Sequence, residues 1–162
     1  MTDIAIALDA ETGLFDFAIE GGGLATDDGL RTAILISLLT DARARDDDDL
    51  PDPNGDHRGW WGDCANADSN DRIGSRLWLL ERAKLTDATV LKARDIAREA
   101  LAWLVEDGIA QAVDIEVTRI APTASRPTGA LGIRISITRT TGATAARFDF
   151  VWDATARSLT TS

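Results

Sequence analysis

The sequence is poor in the residues from which most catalytic and metal sites are built. Its 162 residues include one Cys (Cys64), one His (His57) and no Tyr. A single Cys excludes an internal disulfide, which fits a reducing compartment, and a chain of this length buries enough surface to fold without one. The motifs Gly-x-Ser-x-Gly, His-Glu-x-x-His and Cys-x-x-Cys are absent. We therefore expect no catalytic residue, no metal and no cofactor.

Long apolar runs and basic segments at the N-terminus are also lacking. No run is long enough to span a bilayer, and the start of the chain lacks the basic region of a secretory signal. The net charge is −10; from residue 109 onward six Arg face four acids, a balance of +2, so the first 108 residues carry −12. Such a chain repels nucleic acid and anionic membranes but suits a basic protein surface. We expect neither nucleic acid nor a membrane as a partner.

The acidic stretch from Asp41 to Asp56 predicts a solvated loop. Its seven acids outnumber two Arg, and two prolines exclude regular structure. Residues 52–56 superficially resemble the start of a calcium-binding loop. However, His57 and Asp63 occupy the sixth and twelfth positions, where that loop needs Gly and Glu. A solvated loop without a metal is the expected structure.

Helical periodicity is confined to the first two thirds of the chain. Two acids precede an apolar stretch that predicts a helix from Gly29 to Ala42. A second, short helix is predicted from Ile73 to Ala83. A third is predicted to begin at Thr86 or Asp87 and to end at Asp107, where Gly108 supplies the stop.

Alternation of apolar and polar residues predicts the strands. Residues 4–8 form one strand, and Leu14–Phe17 is expected to return as its hairpin partner. The triplet Gly21–Gly23 lacks the neighbours of a phosphate-binding loop and predicts a flexible turn. Three antiparallel strands with one buried face each are predicted at residues 113–117, 131–137 and 148–152.

Helices grouped first and strands grouped later favour an α+β fold over a parallel α/β sheet. We expect an antiparallel sheet of about four to five strands packed against three helices. The sequence contains no internal repeat and no linker, so a single domain over residues 1–162 is expected.

Four segments of the chain carry a family resemblance. Arg58–Asp63 reads Arg-Gly-Trp-Trp-Gly-Asp, and Gly74–Leu80 reads Gly-Ser-Arg-Leu-Trp-Leu-Leu. With Leu30–Asp41 and Ala100–Asp107, in this order and spacing, they resemble the baseplate wedge family of Mu-like contractile-tail bacteriophages. The resemblance covers most of the chain, and the two tryptophan segments make it specific.

The resemblance implies a structural, non-enzymatic protein of the virion tail baseplate, made in the bacterial host cytoplasm. That family is similar to the sheath-initiator wedge proteins of other contractile tails, although the Glu-Pro-Arg signature of the wider group is absent here. The implied partners are other wedge proteins, with tail sheath and hub or spike proteins as further neighbours. A phage tail and a prophage-derived particle would use the same part.

A second class of function stays open. Some proteins of the wider group are labelled lysozyme-like, and paired carboxylates cleave glycosidic bonds. Glu81 and Glu99 on predicted helices and Asp63 on the tryptophan loop are the acids for such a role. A peptidoglycan-degrading tail enzyme is therefore the alternative, although nothing in the sequence fixes the separation of these acids.

The candidate partner interface consists of the aromatic residues of the tryptophan segments and the last predicted strand. In one hypothesis Trp60 or Trp61 closes the chain's own core. In the other, at least one ring stays exposed as an interface anchor, with Arg58 pairing to a neighbour's acid. The C-terminal hairpin is expected to offer a sheet edge for strand addition. The candidate residues are Arg58, Trp60, Trp61, Asp63, Arg76, Trp78, Phe150 and Trp152.

Overall fold

The computed structural model describes seven stretches of the chain, residues 3–8, 15–27, 30–65, 72–124, 127–139, 146–153 and 158–161. The chain forms two compact units, residues 1–36 and 37–162. Helix and sheet are both present, as the α+β prediction requires. The single domain over residues 1–162 stays a prediction. No helix in the described stretches is long and apolar enough to cross a membrane.

Six short strands form a three-way junction in the described part of the first unit. They pair antiparallel as β1 with β6, β2 with β3 and β4 with β5. Their bounds are β1 Asp3–Ile4, β2 Ile6–Leu8, β3 Phe15–Phe17, β4 Ile19–Glu20, β5 Gly23–Leu24 and β6 Thr26–Asp27. Each of the three extended segments therefore pairs with one neighbour along its first half and with the other along its second half.

Three alanines form the centre of this junction. The amide of Ala5 donates to the carbonyl of Ala25 at 2.8 Å, Ala25 donates to Ala18 at 2.8 Å, and Ala18 donates to Ala5 at 2.9 Å. The ring of hydrogen bonds satisfies the backbone at the point where each segment changes partner.

The sequence predicted part of the junction. The hairpin between the first two segments is confirmed by the pairing of Ile6 with Phe17, whereas Leu14 lies outside the described residues. Gly21 and Gly22, with φ of +60° and +85°, form the predicted turn between β4 and β5, a conformation that suits glycine. Strands of two residues carry too little alternation to be predicted, which is why β4, β5 and β6 were missed.

Helix α1 (Leu30–Leu39) is the first predicted helix, three residues shorter at its C-terminal end. The side chains of Leu30, Ile34 and Leu35 on this helix are buried. This agrees with a helix sequence that is apolar on nearly all sides. It ends early because the backbone turns extended and Asp41 forms a bridge with Ser75.

A four-stranded antiparallel sheet, in the order β10–β9–β8–β7, organises the described part of the second unit. The strands are β7 Ala110–Ile120, β8 Ala130–Arg139, β9 Ala146–Asp153 and β10 Ser158–Thr161. Ile115 lies opposite Ile135, and Ile133 lies opposite Phe150, and all four side chains are buried. The three predicted strands are confirmed as β7 to β9, each with one buried face.

Two helices replace the single helix predicted up to Asp107. They are α2 (Asp87–Ala100), which packs against β7, and α3 (Trp103–Glu106). The hydroxyl of Thr86 accepts a hydrogen bond from the amide of Thr89 at 3.3 Å and caps α2 as expected.

The helix predicted from Ile73 to Ala83 is wrong. Only Leu77–Leu80 form a 3₁₀ helix, with all four side chains buried. The backbone before this turn does not form helical hydrogen bonds. Instead, the amide of Ser75 donates to the carbonyl of Thr40 at 2.8 Å, and the carbonyl of Ser75 accepts from the amide of Ala42 at 2.9 Å. Packing of three helices against the sheet is therefore not confirmed.

Gly74 makes this close approach possible. Its φ is +113°, and a Cβ added there would lie 2.5 Å from the carbonyl oxygen of Thr40. Both the conformation and the contact exclude a side chain at this position.

Candidate protein interface

Three segments of the second unit that include the tryptophan motifs meet one another, residues 38–44, 57–62 and 74–81. The hydroxyl of Ser75 donates to the carbonyl of Leu38 at 2.6 Å, and the indole Nε1 of Trp78 donates to the carbonyl of Ala42 at 2.8 Å. We call this arrangement the clamp, and define it by Arg58, Arg76 and Trp78 with their partners. It contains Arg58 of the first tryptophan motif and Arg76 and Trp78 of the second.

Arg58 lies at the centre of the clamp. Its Nη1 donates to Asp41 Oδ2 at 2.8 Å and to Glu81 Oε1 at 3.1 Å, and its Nη2 donates to Glu81 Oε2 at 3.2 Å. Its Cζ lies 4.3 Å from the centre of the Trp78 ring, a cation–π contact. The hydrogen bond to Glu81 is the main cause that raises the pKa of the Arg58 guanidinium. Arg58 is thus paired with acids of its own chain, and its pairing with a neighbour's acid stays a prediction.

Arg76 ties the acidic loop to helix α2. Its Nη1 lies 2.6 Å from Asp48 Oδ2 and its Nη2 lies 2.6 Å from Glu99 Oε2. The side chains of Arg76 and Asp48 are only 12% and 10% exposed. Burial on its own would raise the pKa of Asp48, but hydrogen bonds from the Arg45 amide and from Arg76 lower it below its ordinary value of 3.8. The loop is therefore anchored at Asp48, while its neighbours Asp47 and Asp49 are solvated as predicted.

The tandem tryptophans divide into a supporting ring and an exposed ring. Trp60 is half-buried and lies over Gly62, where an added Cβ would collide with its six-membered ring. Trp61 begins a 3₁₀ helix (Trp61–Cys64) and is 80% exposed. The two ring centres are 5.6 Å apart at an angle of 44°. Asp63 Oδ1 accepts from the amide of Ile73 at 3.3 Å and steadies the far side of the turn.

The remaining candidate rings belong to the chain's own core. Trp78, Phe150 and Trp152 are 5%, 2% and 4% exposed. Trp78 packs in a cluster with Ala44 and Leu79, and the other two rings lie on the buried face of β9. Burial of these three rings leaves Trp61 as the candidate anchor, with the ring of Trp60 5.6 Å from it.

The acids considered for glycosidic cleavage are engaged by hydrogen bonds. Glu81 is paired with Arg58, Glu99 is paired with both Arg45 and Arg76, and Asp63 holds an amide. Within the described stretches, no group of three or more His, Cys, Asp and Glu is placed to hold a metal ion. Nδ1 of His57 lies 3.4 Å from the carbonyl oxygen of Ala44, an ordinary polar contact in the clamp.

The sequence predicted the location of the clamp but not the partners of its residues. The motifs marked where it lies, but the partners of Arg76 are 28 residues before it and 23 residues after it. No local period connects residues so far apart, so the pairing required the folded chain. The exposed and the buried tryptophans did carry one readable difference, because Gly62 and Asp63 follow Trp61 whereas Leu77 and Leu79 flank Trp78.

Comparison with protein families gives the class of the chain. Residues 30–144 match the family described as Phage protein GP46. This span is more than half of the chain and includes α1, both tryptophan segments, β7 and β8. The chain therefore belongs to the GP46 family of bacteriophage proteins.

Two relatives specify the kind of phage. The chain is 47% identical over 121 residues to the baseplate protein gp46 of Escherichia phage Mu, which covers 74% of this chain and 79% of the relative. It is 37% identical over 115 residues to the Mu-like prophage FluMu protein gp46 of Haemophilus influenzae, covering 71% of this chain and 75% of the relative. The resemblance to a Mu-like baseplate protein family is confirmed.

Proposed function

We propose that the chain is a non-enzymatic structural component of a contractile tail baseplate, in a phage or a prophage-derived particle. The observation that carries this proposal is the 47% identity to a protein named as a baseplate component of phage Mu. The clamp is in keeping with it, because Arg58 and Arg76 pair with acids of the same chain and hold its segments together. The chain is made in the host cytoplasm and acts in the assembled tail.

Within the baseplate, the chain contacts neighbouring wedge subunits through Trp61. Aromatic rings that are held rigidly and become buried on association supply much of the energy of protein interfaces. The residues beside Trp61 in the chain are held in place, because the ring of Trp60 lies against Gly62 and Asp63 accepts a hydrogen bond from the amide of Ile73. The ring of Trp61 is exposed, whereas the ring of Trp78 is buried in the core.

Replacing Trp61 by Ala separates anchoring from folding. We expect the melting temperature of the purified chain to change by no more than about 2 °C, because the ring is 80% exposed. We also expect its incorporation into tails to fall about tenfold or more, as for loss of an interface hot spot. Incorporation is measured by immunoblot of purified tails from a host whose own copy of the gene is deleted. A lower melting temperature with normal incorporation would show that Trp61 serves folding.

The chain also helps to initiate sheath assembly through the C-terminal edge of its sheet, with hub or spike proteins as further neighbours. The hairpin was expected to expose the strand at residues 148–152, but β9 is paired on both sides, by β8 and β10. The edge strand is β10, and within the described residues no strand of the chain pairs with its outer side. Unpaired backbone groups of an edge strand accept a strand from another chain.

Truncation of the chain before Ser158 tests this edge. We expect baseplates that contain the truncated chain but carry no sheath, because the strand that accepts the first sheath subunit is missing. The tails are purified from a strain in which the gene is deleted and the truncated chain is expressed instead. Electron micrographs of these tails show whether baseplate and sheath are present. Sheath of normal length on these baseplates would exclude a role for β10.

The competing proposal is a peptidoglycan-degrading enzyme with Asp63, Glu81 and Glu99 as its candidate acids, each of which forms a hydrogen bond or an ion pair within the chain. A turbidity assay with purified cell walls tests it directly. We expect no clearing by the purified chain. Clearing that a single carboxylate substitution abolishes would replace the structural role by a hydrolytic one.

A further inference from the structure

The three-way junction in residues 3–27 has one strongly apolar face. Side chains alternate along a strand, and residues directly opposite each other in an antiparallel pair lie on the same face. Ile6 lies opposite Phe17, and Ile19 lies opposite Leu24. Phe17 and Ile19 flank Ala18 on one segment, so both pairs are on the same side of the junction.

This apolar face is exposed in the isolated chain. Phe17, Ile19 and Leu24 are 58%, 77% and 55% exposed, and Ile4, two residues before Ile6, is also exposed. Single exposed apolar residues are common, but a contiguous group of large ones marks an interaction surface. The group consists of Ile4, Ile6, Phe17, Ile19 and Leu24, and we call it the junction face.

The charge around the junction face indicates what covers it. Residues 1–27 contain six acids and no Lys or Arg. Two of these acids, Asp16 and Glu20, are exposed immediately beside Phe17 and Ile19 in the chain. A second copy would bring acids against acids, and an anionic membrane would be repelled in the same way. A protein surface with an apolar centre and a rim of Lys and Arg complements both the apolar residues of the junction face and the acids around them.

We propose that the junction face docks on a different chain of the tail, at an apolar patch surrounded by Lys and Arg. This proposal rests on the baseplate function proposed above, because it assigns a second contact within the same particle. The junction lies before residue 30, where the family match begins. The proposed contact is therefore made by residues outside the matched part of the chain.

Ile19→Asp in the full chain, with Leu91→Asp as the matched control, tests the proposal. Both residues are exposed and apolar, but Leu91 lies on α2, outside the junction. We expect Ile19→Asp to melt within about 2 °C of the wild type, because the side chain is 77% exposed. Its incorporation into tails should fall about tenfold or more, whereas Leu91→Asp should be incorporated normally.

The wild-type chain separates the two proposals. If it is absent from purified tails, the baseplate function itself fails. If it is present, and Ile19→Asp is incorporated equally well, the junction contact alone fails. An equal loss for both variants also overturns the junction contact, because the effect would not be specific to this face.

A photo-crosslinking residue at position 19 identifies the covering surface in intact tails, even if Ile19→Asp fails to fold. We expect an adduct to a different tail chain, with the crosslinked peptide rich in apolar residues and Lys or Arg. An adduct between two copies of this chain overturns the proposal. Co-sedimentation of the free chain with vesicles of phosphatidylcholine and phosphatidylglycerol, lost on Ile19→Asp, also overturns it in favour of a lipid surface.

Discussion

Trp78→Ala is expected to lower the free energy of unfolding by about 3–5 kcal/mol, the range for truncation of a buried aromatic side chain. The ring is 5% exposed and packs in a cluster with Ala44 and Leu79. Its removal also leaves the carbonyl of Ala42 without the indole donor and takes away the surface on which Arg58 lies. Urea unfolding followed by circular dichroism measures the difference.

Two matched variants separate the contributions to this loss. Trp78→Phe keeps an aromatic ring but lacks the indole N–H, so we expect a loss of about 1–3 kcal/mol from the unsatisfied carbonyl and the smaller ring. Trp61→Ala removes the same type of side chain from an exposed position, and its effect should stay within about 0.5 kcal/mol. Equal losses at positions 61 and 78 would contradict the division into an exposed and a buried tryptophan.

Arg76→Met is expected to lower the free energy of unfolding by about 2–3 kcal/mol at pH 7, within the range for loss of a hydrogen bond to a charged group. Methionine retains an apolar stem, but Asp48 is left charged and only 10% exposed without its partner. We assign little of this loss to Glu99, because that carboxylate is 50% exposed and its charge is screened by solvent. Asp47→Asn, an exposed acid of the same loop, is the control and should have little effect.

The dependence on pH gives the Arg76 prediction a second signature. The pKa of Asp48 is lower in the folded chain than its ordinary value of 3.8. The pair therefore stabilises the fold above that ordinary value, and this stabilisation is lost as the pH falls through the lower, folded pKa. The difference between the wild type and Arg76→Met should accordingly shrink as the pH falls toward the lowered pKa of Asp48 in the folded wild type. A difference that stays constant through this range would mean that Arg76 acts by packing alone.

The strands of the sheet were readable from the sequence because their environment repeats every two residues. Ile133 and Ile135 face the core while Arg134 between them is exposed, so the pattern and the structure carry the same information. The segment from Ile73 to Ala83 is the opposite case. Its apolar residues suggested a helix, but contacts of Ser75 with residues near 40 hold the backbone extended. Tertiary hydrogen bonds overrode a local preference there.

The candidate interface was located by its motifs, but the roles of individual residues were not readable. Arg58 and Arg76 have the same chemistry whether they pair within the chain or with a neighbour, and the choice depends on Glu81, Asp48 and Glu99, which are distant in sequence. The junction face was missed for a related reason. The alternation of residues 4–8 was visible, but Ile19 and Leu24 lie on strands of two residues, and only the pairing of the strands brings all five residues to one side.

The location of the chain in purified tails tests the baseplate role most directly. Tails are isolated from the producing host, their chains are identified by mass spectrometry, and the chain is labelled with a specific antibody for electron microscopy. The proposed function predicts that the chain is a stoichiometric tail component, that the label lies at the baseplate end, and that deletion of its gene abolishes assembly of complete baseplates. Absence of the chain from tails with intact baseplates, or normal tails after the deletion, would contradict it.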